Sequence, residues 1–101
     1  MTRQVIFSPE AETQLVALQR HIAFEKSSAI AERFTGSIVR YCEGFKVSSH
    51  RETRRDDIRP GLRTVGFRRR ATIAFTVEDK ADTILGVFYK GRDYESSLRL
   101  Q

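Results

Sequence analysis

Tryptophan is absent from this 101-residue chain, cysteine and methionine occur once each, proline twice and glycine six times. A single cysteine, Cys42, excludes an internal disulfide and a cysteine metal cluster, and points to a reducing, cytoplasmic home. No stretch approaches the roughly 20 apolar residues that a membrane span requires, so no membrane partner is expected. The opening Met1-Thr2-Arg3-Gln4-Val5-Ile6-Phe7 has no signal-peptide pattern. There is no repeat, no low-complexity tract and no linker. The length fits one compact domain over 1–101.

What is present is charge. Hydrophobic residues make up 40% of the chain and charged residues 31%, a balance that favours folding over disorder. The net charge is +5 and the pI about 9.9. Such a surface attracts nucleic acid, an acidic protein or an anionic membrane face, although it also serves solubility alone.

The order of elements reads strand, helix, helix, then three strands. Arg3 to Phe7 alternates, with Val5 and Phe7 on one side and Gln4 and Ile6 on the other. Ser8-Pro9-Glu10 is a helix start: a capping hydroxyl, a proline suited to the first helical position, and acid at the positive end of the dipole. Ala11, Leu15, Leu18 and Ile22 follow as one apolar stripe, while Gln14, Gln19 and Arg20 face elsewhere. Ser27 and Ser28 offer a second cap. Ile30, Phe34, Ile38, Tyr41 and Phe45 then mark a second amphipathic helix, weakened by Gly36 inside it.

Ser48 to Pro60 is polar and reads as a loop, closed by a Pro60-Gly61 turn. Leu62 to Phe67 is a strand and Arg68-Arg69-Arg70 a hairpin tip. Ala71, Ile73, Phe75 and Val77 share one face of the next strand. Thr83 to Tyr89 is almost wholly apolar, as expected of a strand covered on both faces. The fold class is therefore α+β: an N-terminal strand and a helical hairpin packed on a mostly antiparallel sheet, in the order β-α-α-β-β-β. The place and direction of the first strand stay open.

Arginine is the residue type that stands out. Arg51, Arg54, Arg55, Arg59, Arg63, Arg68, Arg69 and Arg70 fall within twenty residues, opposed only by Glu52, Asp56 and Asp57. Eight against three gives a local +5, equal to the net charge of the whole chain. Guanidinium groups grip phosphate and carboxylate through paired hydrogen bonds, so the cluster suits RNA, DNA or an acidic protein helix. The alternative is a solvated loop with weak local Arg–Asp pairs. His21 and His50 lack a second ligand or nucleophile at a recognisable spacing, and Cys42 reads as a buried small hydrophobe. Phe88, Tyr89 and Tyr94 could stack bases, although strand packing explains Phe88 better. No glycine-rich phosphate loop, Ser-His-Asp set or zinc pattern is present, so no metal or cofactor is expected.

Several of these segments resemble the RelE/ParE toxins of type II toxin–antitoxin systems, and the ParE branch in particular. Phe7-Ser8-Pro9-Glu10-Ala11 is similar to their opening. Arg55-Asp56-Asp57-Ile58-Arg59-Pro60-Gly61-Leu62-Arg63 resembles the ParE segment leading into the second strand. Ile73-Ala74-Phe75, Ile84-Leu85-Gly86-Val87-Phe88-Tyr89 and Gly91-Arg92-Asp93-Tyr94-Glu95 resemble its last strands and tail. Departures fall at Ser49 and Glu52, where relatives often carry proline and glycine, and at Lys90, where they often carry glycine.

The resemblance implies a toxin that is not a hydrolase. It would bind DNA gyrase, halt replication, and be neutralised by a small acidic antitoxin whose N-terminal half binds DNA; operator DNA would be met only through that antitoxin, in a hetero-oligomer. The expected partner-binding residues are Arg51, Arg54, Arg55, Arg59, Arg63, Arg68, Arg69, Arg70, Lys90, Arg92 and Tyr94, with the tail Arg92–Leu100 as a further contact. The RelE branch implies instead a ribosome-dependent mRNA endonuclease. On that reading Arg63, Arg92 and Tyr94 would be catalytic. Tyr94 has an imperfect offset, and Arg54 and Arg55 stand where a lysine pair is expected; arginine stays protonated and is a poor general base. A degenerate, non-toxic binding module is the third alternative.

Overall fold

The computed structural model describes residues 4–44, 52–89 and Leu98. Strand β1 (Gln4–Phe7) leads into helices α1 (Pro9–Glu25) and α2 (Ser28–Glu43), followed by β2 (Thr53–Arg54), β3 (Arg63–Phe67), β4 (Ala71–Val77) and β5 (Ala81–Tyr89). Ser8 caps α1: its hydroxyl oxygen accepts from the Ala11 amide at 3.1 Å, and Pro9 opens the helix where no amide partner is needed. Ser27 caps α2 in the same way, accepting from the Ile30 amide at 3.1 Å. Only Lys26 and Ser27 separate the two helices, so they pack as an antiparallel hairpin.

The sheet order is β1-β5-β4-β3-β2. Strand β1 lies at one edge, parallel to β5 from Gln4↔Ala81 to Phe7↔Ile84, while all other pairs are antiparallel. That edge position settles the place of the first strand. The segment expected to be a plain loop contains β2, a two-residue strand paired with the start of β3. Two residues surrounded by polar neighbours give no readable alternation, which is why the pattern conceals it.

Helices cover one face of the sheet. Leu18 and Ile22 from α1, Ile38 and Cys42 from α2, and Val65, Phe67, Ile73, Phe75, Ile84 and Val87 from the strands form this core. The stripe of α2 is rotated from the expected one: Ala31 and Cys42 are buried and Ile30 is exposed. Ala31 and Cys42 are small and fully buried, while Tyr41 lies on the flank, its ring 5.1 Å from Phe67. Phe45 lies outside the described residues. Thr35 is tolerated inside because its hydroxyl donates to the Ala31 carbonyl at 3.0 Å. A second, smaller core of Leu62, Ala74, Phe88 and Leu98 covers the opposite face, with Ile58 and Leu85 against it. Strand β5 is thus buried from both sides, as its apolar run requires.

A bulge breaks the β4–β5 ladder. Ala74 pairs with Gly86 but Phe75 with Ile84, so Leu85 is the extra residue. Helix α1 repairs the gap: the Ser8 hydroxyl donates to the Leu85 carbonyl at 3.3 Å, and Gln14 Oε1 accepts from the Val87 amide at 2.7 Å. Gln14, expected to face away, therefore turns onto the sheet. Gly86 is obligatory at the bulge, because a Cβ there would sit 2.6 Å from the Phe88 ring and 3.0 Å from Gln14 Oε1.

Candidate partner-binding surface

The arginines fall into two groups. The first belongs to the segment from Glu52 to Arg63, which folds on itself. Asp56 accepts from the Gly61 amide at 2.8 Å, and Gly61 takes the left-handed conformation (φ 79°) that closes the turn. Arg55 meets Asp57 side-on, with Nε–Oδ1 at 3.0 Å and Nη2–Oδ2 at 2.9 Å. Arg63 Nη1 lies 2.6 Å from Glu52 Oε1, in a pair whose side chains are only 24% and 17% exposed. The second oxygen of Glu52 and Nη1 of Arg59 are buried without a hydrogen-bond partner. All three acids of the segment are therefore committed locally: Glu52 to Arg63, Asp57 to Arg55, and Asp56 to a backbone amide. Arg54, at the end of β2, is exposed and has no ion pair among the described residues.

The second group is the β3–β4 hairpin tip. Arg68, Arg69 and Arg70 are all exposed and carry no ion pair among the described residues. The Arg70 amide donates to the Phe67 carbonyl at 3.0 Å and closes the reversal. Arg68 (φ 52°) and Arg69 (φ 57°) both sit in the left-handed region. Asn-Gly is the sequence such a turn prefers, and each side chain with a Cβ costs roughly 1–2 kcal/mol there. The tip is nonetheless firmly based. Phe67 is buried against Phe34 and Tyr41, with ring centroids at 6.0 and 5.1 Å, and Tyr89 packs on Phe34 at 5.9 Å. The Arg68 guanidinium lies 5.0 Å from the centroid of the Phe67 ring.

The remaining expected contacts, Arg51, Lys90, Arg92 and Tyr94, lie outside the described residues, as does His50. Of the tail, Leu98 is described, and it is fully buried in the second core. His21 is exposed on α1, 3.1 Å from Glu25 and edge-on to Tyr89 with centroids 6.1 Å apart. Cys42 is buried, and burial, helped by the charge of Glu43, pushes its thiol up to about 12.

One feature has no counterpart in the sequence patterns. The solvent side of the helical hairpin carries a groove of about 380 Å³ lined by Val16, Gln19, Glu32, Thr35, Gly36 and Val39. On the same helical hairpin Phe24 is 92% exposed, and Val16 and Ile30 are also exposed. Val16 and Phe24 fall outside the apolar stripe of α1, so a stripe analysis passes over them, and it assigns Ile30 to the buried stripe of α2. Among the described residues no helix is long and apolar enough to cross a membrane.

The family model for the ParE toxin of the type II toxin–antitoxin system parDE matches residues 5–94. The chain belongs to the ParE toxin family. No curated protein sequence matches this ParE-family chain. Among solved structures, it resembles a chain of the chromosomal ParDE TA system from P. aeruginosa, with a TM-score of 0.72 at 20% identity, over 87% of this chain and 96% of that one. At that identity the likeness speaks for the fold, and the ParE fold is the mixed five-stranded sheet and helical hairpin described above.

Proposed function

We propose that this ParE-family toxin acts in the cytoplasm, without a cofactor, by binding DNA gyrase, trapping the cleaved-DNA complex and blocking replication. A cognate antitoxin neutralises it. The observation that carries this reading is the family match over residues 5–94; exposed arginines, which stay protonated and suit binding better than proton transfer, support it. Arg63, the described residue that a RelE-like cleavage would use, has its guanidinium held by Glu52 at 2.6 Å. Of the described arginines between Arg54 and Arg70, Arg54, Arg59 and the hairpin tip have no acid partner among the described residues. The antitoxin is an acidic, partly extended chain whose apolar side chains fill the groove between α1 and α2 and cover Phe24, and whose acids meet the arginines. The solved relative is itself described as part of a ParDE system, which supports a hetero-oligomer with such a partner. Operator DNA is reached through the antitoxin.

The test is induction of the chain in cells that lack the antitoxin. A DNA-damage response with intact mRNA, and accumulation of cleaved DNA with purified gyrase, are the expected results. Codon-linked cuts in mRNA during translation would overturn the proposal in favour of a ribosome-dependent nuclease. Harmless expression would mark a degenerate binding module.

A further inference from the structure

We propose that the β3–β4 hairpin tip, Arg68-Arg69-Arg70, is a contact for the phosphate backbone of duplex DNA made by this chain itself. The inference does not rest on gyrase as target, since it concerns the chain and DNA alone.

Three observations lead to it. The first is uncompensated charge. Between Leu62 and Val77 there is no acidic residue, and the fourth arginine of that hairpin, Arg63, is paired with Glu52. The tip therefore presents three positive charges with no acid in the same hairpin. The second is retained strain. A tight reversal with two consecutive positive φ values would be more stable with Asn-Gly, yet both positions hold arginine. Strain that local stability does not explain is a mark of a functional position. The third is support. Phe67, locked between Phe34 and Tyr41, holds the base of the turn and gives the Arg68 guanidinium a fixed surface to rest on. Charges held in place lose less freedom when they bind.

The surroundings choose between an acidic protein and a nucleic acid. Protein interfaces centre on desolvated apolar or aromatic anchors. At the tip no fully exposed one is offered: Val65, Phe67 and Ala71 are buried, half-buried Tyr41 and Tyr89 at its base turn their rings onto Phe67 and Phe34, and Gly66 is the exposed neighbour. The exposed apolar residues Val16, Phe24 and Ile30 lie on the helices instead. A surface that offers cations alone matches the sequence-independent, counterion-releasing mode of phosphate binding. The shape favours DNA over RNA. A two-stranded hairpin end fits the major groove of B-form DNA, whereas the A-form major groove is too narrow to admit side chains.

The experiment is fluorescence anisotropy of the purified full chain with a labelled duplex DNA across a salt series, comparing wild type with R68N/R69G. Removing two phosphate contacts should make the slope of log K against log salt shallower by about 1.8, so that wild type loses about 12-fold more affinity than the variant between 50 and 200 mM salt. The same variant should melt at a higher temperature, because Asn-Gly relieves the turn; a melt on the same preparation thus shows that lost binding is not lost folding. An unchanged salt slope would overturn the proposal. So would equal weakening on duplex RNA, or a variant that keeps DNA affinity and loses affinity for an acidic peptide.

Discussion

Substituting Gln14 with alanine should destabilise the fold far more than its place on a half-exposed helix flank suggests. Its Oε1 accepts from the Val87 amide at 2.7 Å, two residues past the bulge at Leu85 and beyond the last β1–β5 pair at Ile84. Val87 is 4% exposed, so water cannot easily replace the lost acceptor. A buried donor left without a partner costs about 1–3 kcal/mol, and freeing the glutamine side chain returns up to about 1.5 kcal/mol. A net loss of about 1–2 kcal/mol lowers the melting temperature of a domain this size by roughly 5–15 °C. Gln19→Ala is the control. Gln19 lies 3.2 Å from the Thr35 hydroxyl, which keeps its bond to the Ala31 carbonyl, so that change should stay within about 0.5 kcal/mol. Thermal melts followed by circular dichroism measure both, and amide exchange at Val87 locates the effect. A Gln14→Ala protein as stable as the control, or unchanged protection at Val87, would refute the role given to the bulge.

Other perturbations test separate parts of the molecule. The Cys42 thiol, raised from 9.0 to about 12 mainly by burial, should resist thiol reagents at pH 8 until the protein unfolds. A folded value above the unfolded one means that the stabilising contribution is complete below pH 9 and is lost as pH rises from about 9 to 12, so Cys42→Ala should show a shallower alkaline loss in urea titrations. Leu98→Ala should cost about 2–5 kcal/mol, read from urea unfolding, because it empties a fully buried position in the smaller core.

The sequence discloses those elements whose pattern is long or whose ends are chemically marked. Ser8-Pro9 and Ser27 announce both helices, and the apolar run of β5 announces burial on two sides, because each feature has a local cause. What it conceals depends on pairing at a distance. The parallel docking of β1 beside β5, the two-residue β2, and the bulge at Leu85 are set by residues about eighty positions apart in the extreme case, and no spacing rule reaches that far. The rotated stripe of α2 has a subtler source: Ala31 and Cys42 are small, so a search for large apolar residues passes over them. For the candidate surface, the arginine cluster is plain in the sequence but its division is not. Only the fold shows that Arg55 and Arg63 are held by acids while the tip is left uncommitted.

That division changes how the tail must be tested. Truncation after Gly91 looks like a clean way to remove the contacts expected of Arg92 and Tyr94, but it also removes Leu98, which fills the core beneath Leu62, Ala74 and Phe88. Loss of killing after truncation would then follow from an unstable domain as readily as from a missing contact. The informative comparison keeps Leu98 and replaces Arg92 and Tyr94 with alanine, beside Leu98→Ala in an otherwise native tail. If the tail touches the target, the first protein loses killing while its melting temperature holds, and the second loses both in proportion. If the first protein still kills at wild-type levels, Arg92 and Tyr94 make no essential target contact, and the search turns to Arg54, Arg59, the hairpin tip and the expected contacts Arg51 and Lys90.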